Sequence, residues 1–172
     1  MLDIYMLILR LLHVVLGVFW AGSVGFVFFF LLPTVAAEGP DGARFIQTMG
    51  RVTQLTKAFP IAGGLTVLAG LLMFWRDSNG FSGTFFASAP GIVLTLGGLC
   101  GLIALVGPAA QLARVFNRTA RVAAAIQAAG GPPRPEQLAE IQGLQVKVPG
   151  LYRNLGLLLA IAVICMAAFR YV

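Results

Sequence analysis

The chain has 172 residues, 59% hydrophobic and 10% charged, with a mean hydropathy of +0.91 and a net charge of +6. About a quarter of an ordinary water-soluble domain is charged. The composition therefore excludes such a domain and fits a lipid bilayer. The basic residues flank long apolar runs, which also excludes nucleic acid as their partner.

Residues 4–32 form the first apolar run, and about 20 apolar residues suffice to cross the hydrocarbon core. Asp3 precedes the run, which is longer than the apolar core of a secretory signal, so it reads as a retained spanning helix. On it Arg10, His13, Gly17, Trp20 or Ala21, and Val24 recur every three or four residues. That spacing predicts one stripe turned to the bundle interior or a cavity.

His13 is the only histidine. At 1.5 Å per residue it lies about 14 Å from the start of the helix. Gly17 would admit a flat ligand against the backbone, and Trp20 would stack on that ligand. Two readings are open. In one, His13 hydrogen-bonds a neighbouring helix at Thr66 or Thr95, Arg10 snorkels to the interface, and Trp20 packs. In the other, His13 ligates haem iron or copper and Arg10 pairs with a haem propionate. Met6, Met73, Met166, a cysteine or a second copy of the chain would then complete the ligand set.

After Pro33 and the Gly39-Pro40 pair, Asp41 is expected to cap an amphipathic helix. Its face carries Phe45, Met49, Val52 and Thr56, and Pro60 bends the junction with the next span. The second apolar run covers residues 59–75. A short Gly- and Ser-rich loop with Phe81, Phe85 and Phe86 leads to the third, residues 91–108, where Gly107-Pro108 ends or kinks the helix. A basic amphipathic helix comes next, with Arg114, Arg118 and Arg121 on one face and Leu112, Val115, Val122 and Ile126 on another. Such a helix lies on an anionic leaflet or packs on a partner. "GGPPRP" turns the chain into a short helix that ends before Pro149, and residues 151–169 form the fourth run.

Nine lysines and arginines lie between runs one and two, between runs three and four, or just inside the fourth: Arg44, Arg51, Lys57, Arg114, Arg118, Arg121, Arg134, Lys147 and Arg153. Three, Arg10, Arg76 and Arg170, belong to the other side. The bias predicts that the basic connections are cytoplasmic and both termini face outward. Cys100 and Cys165 fall inside apolar runs as buried thiols. With His13 and Met73 they would share a leaflet as a soft donor set for Cu(I). Gly97 and Gly101 form GxxxG, a helix-packing signal. A faint repeat joins the halves: "TKAFP" and "VKVP" head the second span of each, and "WR" and "FR" end it.

Asp3, Glu38, Asp41, Asp77, Glu136 and Glu140 all lie outside the spans, and no carboxylate pair, nucleophile triad or phosphate-binding loop appears. A non-enzymatic role is therefore expected.

"LHVVLGVFWAG", with His13 and then Trp20-Ala21-Gly22, and "FPIAGGLTVLAGLLMFWR" resemble the first two helices of a bacterial membrane superfamily. It includes the copper-resistance D-type domains and the haem-b protoporphyrinogen oxidases, and the resemblance covers roughly residues 5–76. It implies a four- or five-helix membrane scaffold, with haem b carried in the oxidase branch. The third helix lacks the further His, Trp and Lys of the oxidase branch, so an uncharacterised branch is implied. The expected protein is an all-α, integral membrane four-helix bundle with cytoplasmic amphipathic segments. It would sit in a bacterial inner membrane as an accessory or assembly subunit of a larger, redox complex or as a homo-oligomer. The alternative is a haem-b or copper protein using His13, with Arg10, Gly17 and Trp20 around the cofactor.

Overall fold

The computed structural model describes residues 3–172, all turns and helices without a strand. The side chains of Arg51, expected on the basic side, and Thr56, expected on the amphipathic face, lie outside the described residues. Helix α1 (Ile4–Phe26) passes through a π-helical turn, Val27–Leu31, into α2 (Leu32–Ala37). Then come α3 (Pro40–Val52), α4 (Leu55–Asp77), α5 (Gly83–Ala87) and α6 (Ala89–Ala104). A second π turn, Leu105–Ala109, leads to α7 (Ala110–Ala129), α8 (Pro135–Gln145) and α9 (Val148–Ala168). Four helical stretches are long and apolar enough to cross a membrane.

The prolines do not end the helices. Proline lacks an N–H, and its ring crowds the carbonyl four residues back. A π turn widens the helix by one residue and relieves that crowding. Pro108 sits inside one π turn and Pro33 two residues after the other. The Leu32 amide reaches the Val27 carbonyl and the Ala110 amide reaches that of Leu105, five residues back in each case. The first span thus runs on to Ala37, and the third to Ala129 rather than ending at 108. Asp41 does not cap α3. Gly39, at φ +54°, holds that position, and Asp41 pairs with Arg44 from the first turn. Ser88 caps α6 by accepting the Gly91 amide, and Gly130 stops α7 in the left-handed conformation.

Each half repeats one plan: a long helix with a π turn, a short helix, and a returning span. The returning span packs antiparallel on the long one, α4 on α1 and α9 on α6. Asp3 at the start of α1 pairs with Arg76 at the end of α4. The first half of α1 also meets the end of α9, through His13 and Met166, so the start of α1 and the end of α9 lie at one end of the bundle. The core fills the opposite half, with the small Ala62 and Ala104 among Trp20, Tyr152, Leu155 and Leu159. Outward faces are apolar: Val18 is 69% exposed, Phe29 68% and Ile164 65%. Contiguous apolar surface of this kind is rare on proteins that face water.

Candidate functional site at His13

Helices α1 and α4 meet in a register that fixes the site. Three close contacts pair residues whose numbers sum to 83: Trp20 on Gly63, Gly17 against Thr66, His13 on Gly70. Large side chains at 13 and 20 thus drop into glycine sockets at 70 and 63. A Cβ on Gly70 would lie 2.8 Å from His13 Cε1, and one on Gly63 would lie 2.9 Å from the Trp20 ring. Both sockets require glycine because the side chain occupies the Cβ position.

His13 is half-buried, and its Nδ1–H donates to the Thr66 carbonyl at 2.8 Å. A carbonyl only accepts, so this bond fixes the tautomer. Nε2 then turns its lone pair to Met166 Sδ on α9, 3.4 Å away. Met166 Cγ in turn stands 3.7 Å from where a Cβ on Gly97 of α6 would be. His13 therefore lies at the head of a chain of contacts that reaches all four spans. The expectation of a bond to Thr66 is met at its carbonyl. The Thr66 hydroxyl is bonded to the Ala62 carbonyl instead, and Thr95 bonds the Gly91 carbonyl of its own helix.

The inward stripe differs from the expected one by a residue. Leu9, His13, Leu16, Trp20, Val24 and Val27 face the interior, at spacings of three and four. Arg10 is exposed, about 100° around the helix from Leu9. It is not beside His13 in the interior. The space at Gly17, expected to admit a flat ligand, is taken by the Thr66 methyl, 3.3 Å from a Cβ there. Trp20, 3% exposed, packs in the core.

The geometry also bears on which ligands His13 and Met166 could hold together. First-row metals bind nitrogen at about 2.0 Å and sulfur at about 2.3 Å. Imidazole nitrogen and thioether sulfur 3.4 Å apart form a donor pair suited to one soft ion. Cys100 and Cys165 are buried free thiols, and Cys165 packs on Gly97. Among the described residues no three of His, Cys, Asp and Glu gather closely enough to hold a metal. Comparison with protein families, curated proteins and solved structures finds no match.

Proposed function

We propose that the chain is a four-span inner-membrane protein of a bacterium, with both termini outward, and serves as an accessory or assembly subunit of a larger, redox complex. The observation that carries this reading is the division between inside and outside. Among the described residues no buried side-chain nitrogen or oxygen lacks a partner. The interior threonine hydroxyls are taken by carbonyls of their own helices, and His13 Nδ1–H by the Thr66 carbonyl. The features left open lie outside. Gly98 and Gly101 on α6 have no neighbour within 4 Å of a Cβ position, and neither do Gly22 and Gly25 on α1. Such open glycines let another helix approach closely in lipid. Arg10 is exposed within an apolar span, where a partner's acid or the interface would receive it.

The test is the size and sidedness of the particle in mild detergent and in cells. The expected particle is larger than the 18.2 kDa chain. Gly98→Leu with Gly101→Leu should reduce it to the single chain without lowering its melting temperature. A cysteine at Ser82 should label with an impermeant reagent in whole cells, and one at Ala128 should not. A wild-type chain that is already monomeric would sink the subunit reading, and reversed labelling the orientation.

A second reading has its own observation, the Nε2 lone pair aimed at Met166 Sδ. Here the pair holds a soft cation such as Cu(I), for which imidazole and thioether are suited. Anaerobic Cu(I) loading should then give one ion per chain, lost in His13→Gln and in Met166→Leu. If His13 is purely structural, both variants match wild type in metal content. His13→Gln then costs about 1 kcal/mol or less, because the amide keeps the bond to Thr66.

A further inference from the structure

The arginines predicted on one face of α7 do line a common surface, and the fold adds a fourth. Leu112 and Val115 anchor the start of α7 in the bundle, while Phe116, Asn117, Arg118, Arg121 and most of the helix beyond them are exposed. Gly130 and the prolines after it turn the chain back, and α8 lies against α7, tied by the Arg118–Glu140 ion pair. Between the two helices is a cleft of about 660 Å³ lined by Arg114, Arg118, Arg121 and Arg134, with Asn117 and Gln137 as amides and Glu140 as its one carboxylate. Known small-molecule sites run from about 300 to 1,000 Å³. Among the described residues Arg114, Arg121 and Arg134 make no ion pair, so three guanidiniums face the cleft uncompensated. Arg114 also borders a neighbouring cleft of about 400 Å³ that holds Lys147.

We infer that this cleft binds a ligand carrying two or more phosphate groups. Four positive charges against one negative select an anion of multiple charge. Guanidinium forks match phosphate oxygens two at a time. Arg114 and Arg121 are seven residues apart, about 10 Å along the helix, so the positive charge is spread over a length greater than one phosphate. A polyphosphate spans that distance, and so does a lipid headgroup with two phosphates. The site is independent of the role of His13 and of the subunit reading.

Full-length protein in neutral phosphatidylcholine nanodiscs should bind tripolyphosphate at least tenfold more tightly than inorganic phosphate by titration calorimetry at matched ionic strength. Arg121→Gln with Arg134→Gln should weaken that binding at least tenfold. Arg44→Gln with Arg153→Gln removes the same charge outside the cleft and should leave it within twofold. Glu140→Gln should tighten it, which a merely structural role for these residues would not do. A second arm counts cardiolipin retained by the purified protein by native mass spectrometry. Retention that falls with Arg121→Gln and Arg134→Gln, without tripolyphosphate binding, assigns the cleft to the lipid source. The inference fails if tripolyphosphate binds no better than phosphate and cardiolipin retention is the same in both proteins. It also fails if the control pair weakens binding as much as the cleft pair.

Discussion

Gly70→Ala should destabilise the protein by roughly 2–4 kcal/mol, read as a lower melting temperature in detergent. The new methyl would sit 2.8 Å from His13 Cε1 and 2.9 Å from Nδ1. The ring cannot stay, and moving it breaks the Nδ1–H bond to the Thr66 carbonyl. Overpacking costs about 1–3 kcal/mol and the lost hydrogen bond about 1 kcal/mol. Alanine's better helix propensity offsets less than about 1 kcal/mol of this. The loss should shrink sharply in a His13→Ala background, where the socket is empty. Gly64→Ala serves as the opposite control, since nothing lies within 4 Å of its Cβ position, and it should be neutral or slightly stabilising. If Gly70→Ala is equally harmful with and without the His13 ring, the socket is not what glycine is needed for.

The number of helices long and apolar enough to cross a membrane is readable in the sequence because each contains one lipid-length apolar run, and polar connections separate the runs. The inward face of α1 is less readable for a physical reason. A span apolar on every side carries no hydrophobic phase, so only its polar residues can mark that face. His13 marks it correctly, but Arg10 does not. A long guanidinium side chain can reach a polar boundary from an outward position, so it need not share the histidine's face. The Gly63/Gly70 pair belongs to the small residues that let helices pack closely. Its match to Trp20 and His13, also seven apart, needs the antiparallel register. Met166 is one of three methionines named as candidate ligands, and only the placement of α9 selects it. The π turns at Pro33 and Pro108 are hidden in the sequence because proline is an ordinary sign of a helix end. In this chain the π turns keep each helix going beyond the apolar run, and the second of them leads directly into the α7 arginines.

Gly97→Ala should be the mirror experiment in the second helix pair, with a loss of about 1–3 kcal/mol from overpacking. A Cβ there would meet Cys165 Cβ at 2.8 Å and the Ala162 carbonyl oxygen at 3.3 Å. Both atoms belong to the α9 backbone or its first carbon, so no rotamer change relieves them, and α9 must move away from α6. Gly101→Ala, the other half of the GxxxG pair, meets nothing within 4 Å and should leave the isolated bundle unharmed. The two glycines thus divide one motif between an internal contact and an open face. Rescue separates the Cβ contact from any role of the thiol. Cys165→Gly should recover part of the loss in the Gly97→Ala background, because it removes the atom that clashes. Cys165→Ala keeps that atom and should recover none. Equal rescue by both would locate the strain at the sulfur instead. The shift of α9 also reaches the first pair, since Met166 faces His13 Nε2 from the same turn of helix. Gly97→Ala should therefore raise the exposure of the His13 ring to solvent or detergent, detectable as broadened and shifted imidazole proton resonances, whereas Gly101→Ala should leave them in place.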